Sequence, residues 1–89
     1  MENTTTSPDV LERFLRYVAI SSQSDASVTT VPSTPGQLTL ARLLADELTT
    51  LDLLCDVHVD AHGILTARCP GNQPDAPRIG FVAHLDTVD

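Results

Sequence analysis

A histidine and an aspartate one residue apart, His84-Leu85-Asp86, follow directly on the apolar run Ile79-Gly80-Phe81-Val82-Ala83. Along an extended backbone side chains alternate, so His84 and Asp86 project to one side and Leu85 to the other. A neutral imidazole binds a divalent metal such as zinc through one ring nitrogen, and a carboxylate beside the other nitrogen fixes the tautomer and raises ligand basicity. The pair therefore offers a metal ligand together with its supporting carboxylate. The competing reading is a structural histidine at a strand end, because a tripeptide of this kind also occurs by chance.

Such a pair needs a rigid platform. Residues 79–83 form a short apolar run bounded by turn chemistry, which predicts a strand buried on both faces of an α/β sheet. His84 and Asp86 then sit at its C-terminal end, where open α/β sheets bind ligands. Upstream, residues 55–59 and 64–68 each alternate around Asp60-Ala61-His62-Gly63, predicting a β-hairpin in which the glycine supplies a positive φ. Between hairpin and run, residues 70–78 carry Gly71, Asn72 and three prolines and read as a surface loop.

Two helices precede the hairpin in this reading. Leu11, Phe14, Leu15 and Val18 recur at helical spacing and mark a helix over 8–18, capped either by Ser7 before Pro8 or by Asp9 with Glu12. A second begins with a full start signal: Thr34 as N-cap, Pro35 in the first helical position, and Gln37 placed to reach back to the N-cap N–H. Its stripe of Leu40, Leu43, Leu44, Leu48 and Leu51 is expected to lie on a sheet, at roughly 1.5–3 kcal/mol for each leucine fully buried. Residues 21–31 lose all periodicity and read as a polar loop without a catalytic role. The expected fold class is α/β, with two helices, a hairpin and one central strand.

Composition bounds the partners. Twelve acidic against five basic side chains give a formal charge of −7 over 89 residues, which disfavours nucleic acid and anionic lipid. The length suits one small domain or a part of a larger one. Met1 to Pro8 has neither the basic nor the apolar region of a secretory signal, and no apolar run is long enough to span a bilayer. A cytoplasmic location is therefore expected, with Cys55 and Cys69 as free thiols, although their near symmetry about the hairpin turn makes a cross-strand disulfide conceivable. His58, within a strand, and His62, in the turn, read as solvent-facing positions rather than ligands.

The segment Gly80-Phe81-Val82-Ala83-His84-Leu85-Asp86-Thr87 resembles the first metal motif of the M20 metallopeptidase family. The stretch Val31-Pro32-Ser33-Thr34-Pro35-Gly36-Gln37-Leu38-Thr39-Leu40, the preceding Gln23-Ser24-Asp25, and the opening Leu11-Glu12-Arg13-Phe14 with Tyr17-Val18 look like its peptidase T branch of tripeptide aminopeptidases. This likeness covers nearly the whole chain. It implies that residues 1–89 are the N-terminal portion of an M20-type catalytic domain, that His84 matches the first zinc ligand, and that Asp86 matches the catalytic-site aspartate supporting it. The same resemblance implies two zinc ions in the full-length enzyme, a small peptide substrate, and further ligands and a glutamate base later in the chain.

A catalytic zinc takes about three protein ligands, whereas this motif supplies one. The isolated chain is thus expected to bind zinc weakly and to hydrolyse nothing, and apolar surfaces lacking neighbours are expected to promote aggregation. The alternatives are another M20 hydrolase, either a deacylase of N-acyl amino acids or a dipeptidase, and a small non-enzymatic α/β domain with a structural His84.

Overall fold

Helix α1 (Pro8–Val18) and helix α2 (Pro35–Leu48) are followed by an antiparallel hairpin of β1 (Cys55–Val59) and β2 (Leu65–Arg68) in a computed structural model that describes residues 8–88. The proposed Ser7 cap lies outside the described residues. Asp9 in the first turn of α1 and Arg16 in its last both complement the helix dipole.

Thr34 is the N-cap of α2, with extended φ of −138°, and Pro35 opens the helix as expected. The reciprocal cap differs from expectation. The Thr34 hydroxyl is turned outward and donates to the Gln23 carbonyl at 2.7 Å, while the Gln37 side-chain amide donates to the Ser33 and Thr34 hydroxyl oxygens at 2.9 and 3.1 Å. The amide NH₂ can only donate, so it meets hydroxyl acceptors rather than the backbone N–H. At the other end, Thr49 and Thr50 turn their hydroxyls back onto the Asp46 and Glu47 carbonyls, satisfying acceptors that the helix leaves open. Leu51 falls beyond the last turn.

Helix α2 packs on the hairpin with Leu40 and Ala41 as the buried apolar centre, whereas Leu44, Leu48 and Leu51 of the expected stripe border the groove shared with α1. Leu43, Leu44 and Leu48 are half-buried. In the hairpin, Cys55 pairs with Arg68, His58 with Thr66 and Val59 with Leu65. Three steps on β1 thus match two on β2, which is a β-bulge, and Asp56 sits in it at φ 54°. Asp56 receives the Arg68 Nε–H at 2.9 Å, an ion pair across the irregularity. The turn is built by Asp60, whose Oδ1 accepts from His62 N at 2.8 Å and Ile64 N at 3.0 Å, and Gly63 adopts φ 80° as expected. These two N–H donors hold the Asp60 carboxyl below its ordinary value, that of Ile64 contributing most. His58 and His62 are exposed, and Cys55 and Cys69 are both thiols.

Helix α1 meets α2 with its polar face. Glu47 of α2 accepts from Arg16 and from the Tyr17 hydroxyl, the latter at 2.8 Å, and the Arg16 guanidinium also pairs with Glu12. The apolar face of α1, comprising Leu11, Phe14, Leu15 and Val18, remains more than half exposed.

Residues 79–83 depart from the sequence expectation. They belong to no helix and no ladder, and Phe81 and Val82 are 95% and 100% exposed. A strand buried on both faces needs neighbours at its edges and layers above and below it. Among the described residues the one sheet is the β1–β2 hairpin, whose strands pair with each other. Near this segment, among the described residues, the pairing is an isolated parallel bridge between Gln23 and Thr87. Among the described residues the architecture is a small α/β unit of two helices and one two-stranded sheet, without the central strand.

Candidate metal-ligand pair

His84 and Asp86 do meet. The His84 Nδ1 lies 2.8 Å from the Asp86 main-chain oxygen and 3.1 Å from Asp86 Oδ1. A carbonyl oxygen can only accept, so the bond requires the proton on Nδ1. This leaves the Nε2 lone pair of the neutral ring free, and among the described residues Nε2 has no hydrogen-bond partner. The imidazole is 83% exposed and the Asp86 side chain 42%, so the free nitrogen opens to solvent rather than into packed hydrocarbon. One nitrogen held by a carboxylate and the other available is the arrangement in which histidine ligates a metal.

The pair borders an open groove of about 520 Å³ between the hairpin turn and residues 81–86, lined among others by Pro32, Gln37, His62, Leu65 and Phe81. Among the described residues no group of three or more His, Cys, Asp or Glu side chains gathers to enclose a metal ion. His84 fits as one ligand of a zinc site, and the donor set of about three that a catalytic zinc requires is not assembled by these residues.

The neighbour of the pair is held by a loop that the sequence leaves without a role. Thr87 N donates to the Ser22 carbonyl at 3.1 Å, Ser24 N donates to the Thr87 carbonyl at 2.8 Å, and the Ser24 hydroxyl reaches that same oxygen at 3.1 Å. Ser22 is 5% exposed, the one polar residue among the described residues that is fully buried. Asp25 completes this stretch: its N–H donates to Ser33 Oγ at 3.0 Å, and its carboxylate is held below the ordinary range by the Ser27 hydroxyl and then by the Ser27 N–H. The available signal was Gly36, a residue unfavourable within a helix yet placed in the first turn of α2.

Comparison with known proteins places this geometry in context. The chain is 57% identical over 83 residues to a peptidase T-like protein of Yersinia pestis, covering 93% of this chain and 20% of that protein. It is 55% identical over 80 residues to peptidase T of Aeromonas salmonicida, covering 90% of this chain and 19% of the relative. Over about nine tenths of its length the chain is similar to peptidase T proteins. Peptidase T of Bacillus subtilis is 49% identical over 81 residues, again across 90% of this chain and 20% of its own length. The chain thus spans about one fifth of the curated peptidase T relatives that it matches. No family model matches it. No helix among the described residues is long and apolar enough to cross a membrane.

Proposed function

We propose that this chain forms the opening part of the catalytic domain of an M20-type, metal-dependent tripeptide aminopeptidase, which releases the N-terminal residue of tripeptides in the cytoplasm. In this reading His84 is a ligand to one of two zinc ions and Asp86 is the carboxylate that orients it. The observation that carries it is the double acceptor offered by Asp86 to His84 Nδ1, which turns a free Nε2 toward solvent. Peptidase activity is supported by the relatives named peptidase T.

The chemistry supplied by bound zinc is Lewis acidity, namely a lowered pKa for water and a polarised peptide carbonyl. This chain's residues contribute upstream of that chemistry. Asp86 fixes the proton of His84 on Nδ1, so the ring offers a lone pair on Nε2 without a change of tautomer. The adjacent groove leaves space for a small peptide beside the pair. The remaining ligands and the general base come, on this proposal, from polypeptide that corresponds to the larger part of the relatives.

A chimera provides the test. The present 89 residues replace the equivalent opening segment of the Aeromonas salmonicida peptidase T, and release of the N-terminal residue from a tripeptide is followed with added zinc. The expected result is zinc-dependent cleavage that His84→Ala abolishes, with no cleavage by the 89-residue chain alone. A chimera whose activity survives His84→Ala would refute the assignment.

A further inference from the structure

An ideal Cβ built on Gly36 would lie 1.6 Å from the Ser21 carbonyl oxygen and 2.8 Å from the Ser21 carbonyl carbon. The obstacle is backbone, so a side chain at position 36 cannot be accommodated by a change of rotamer. The first turn of α2 is in direct contact with the start of the loop that holds Thr87. From Ser21 the connection runs through buried Ser22, whose carbonyl accepts from Thr87 N, and through Ser24, whose N–H and hydroxyl both reach the Thr87 carbonyl. The Thr34 hydroxyl ties the intervening Gln23 carbonyl to the N-cap of the same helix at 2.7 Å. Thr87 is bonded covalently to Asp86, whose main-chain oxygen and carboxylate orient the His84 ring.

We propose that Gly36 and the segment Ser22 to Ser24 are positioning residues for the His84–Asp86 pair: the N-terminal turn of α2 acts as an anvil, and the loop clasps Thr87 against it. The pair lies in a segment with no ladder of its own, and an isolated parallel bridge ties Thr87 of that segment to Gln23 of the loop. Glycine at position 36 admits the Ser21 carbonyl and so sets the depth of the clasp. As a device for holding a metal ligand, this rests on the zinc-peptidase reading; as geometry, it does not.

The test uses the 89-residue chain and needs no activity. Amide hydrogen exchange at Ser24 and Thr87, and the ¹⁵N shifts of the His84 ring, are compared among the parent, Gly36→Ala, Thr34→Val and Gly80→Ala. Alanine favours helix over glycine, so Gly36→Ala is expected to leave the α2 amides at least as protected as in the parent. It should nevertheless accelerate exchange at Ser24 and Thr87 by about tenfold or more, and mix the His84 tautomers. Thr34→Val removes one tie without a clash and should move the same signals in the same direction by less, so the proposal remains testable if Gly36→Ala fails to fold. Gly80→Ala, whose added Cβ meets nothing within 4 Å, should leave Thr87 unchanged. Parent-like exchange and ring shifts in both Gly36→Ala and Thr34→Val would overturn the clasp. A zinc-dependent chimera with the Aeromonas salmonicida peptidase T whose activity survives His84→Ala would instead strike the metal reading and leave the clasp standing.

Discussion

One aspartate presents two acceptors to one imidazole proton: Nδ1 of His84 stands 2.8 Å from the main-chain oxygen of Asp86 and 3.1 Å from its carboxylate. The two acceptors differ in what a mutation can remove. Asp86→Ala deletes the carboxylate and keeps the carbonyl, so the ring should retain its orientation while losing its carboxylate partner. Loss of an outer carboxylate partner typically lowers metal affinity about 10–100-fold. With the carbonyl in place, Asp86→Ala is expected at the low end, about tenfold, and His84→Ala should remove the response altogether. Zinc titration followed by the imidazole resonances measures both. Equal zinc responses in the parent and Asp86→Ala would show that the carboxylate has no part in ligand tuning.

The contact between α1 and α2 is expected to fail at both extremes of pH. Glu47 is held below the ordinary glutamate range, first by the Tyr17 hydroxyl and then by Arg16, against the opposing effect of burial. Its contribution to stability is therefore complete above the unfolded value of about 4.3 and is lost as pH falls through the lower folded value. Tyr17 is pushed above the ordinary tyrosine range, by burial first and by Glu47 second. That contribution is present below about pH 10 and declines as pH rises through the folded value. The chain has one tyrosine and no tryptophan, so phenolate absorbance reports Tyr17 alone. Glu47→Gln should lower the Tyr17 midpoint part of the way toward its ordinary value, leaving the part due to burial, and should flatten the acid limb of thermal stability. Tyr17→Phe should cost about 1 kcal/mol, read as a fall of about 4–8 °C in Tm.

The two glycines that matter should respond to alanine for different reasons. Gly63 has φ 80°, and a Cβ there would meet Pro32 Cγ at an ordinary 3.7 Å, so the penalty is conformational rather than steric. Gly63→Ala is expected to destabilise by about 1–2 kcal/mol, and Gly63→Asn by less, since asparagine tolerates the left-handed region. Denaturant unfolding measures both. A Gly63→Asn variant no more stable than Gly63→Ala would mean that contact with Pro32, not backbone preference, sets the cost.

These contrasts mark what the sequence makes legible. Local signals were sufficient where local physics decides the outcome: the spacing of Leu11, Phe14, Leu15 and Val18 marks α1, Thr34-Pro35 opens α2, and Asp60 with Gly63 turns the hairpin. The His84–Asp86 contact also follows from a spacing of two along the chain. What escaped was tertiary. No periodicity in residues 21–31 signals that Ser22 is buried or that Ser24 reaches Thr87, because a single parallel bridge between residues 64 apart in sequence leaves no repeating pattern. The run 79–83 failed in the opposite way: its composition suits a buried strand, but burial depends on neighbours, and the described residues provide none.

Exposed apolar surface on both helix and terminal segment leads to a prediction about association. Phe14 and Val18 on α1 are each 58% exposed, and Phe81 and Val82 almost completely so. Contiguous apolar patches on soluble proteins mark contact surfaces or aggregation liabilities, and the net charge of −7 opposes association only over distances that salt screens. The 89-residue chain should therefore self-associate at high micromolar concentration, more strongly as ionic strength rises. Phe14→Ser combined with Val82→Ser should shift that association to higher concentration, with the helical signal of α2 unchanged because both side chains are exposed and neither belongs to α2. Sedimentation velocity across a salt series measures the effect. A parent chain that stays monomeric throughout, or a double variant that associates as readily as the parent, would place the driving force elsewhere than on these side chains.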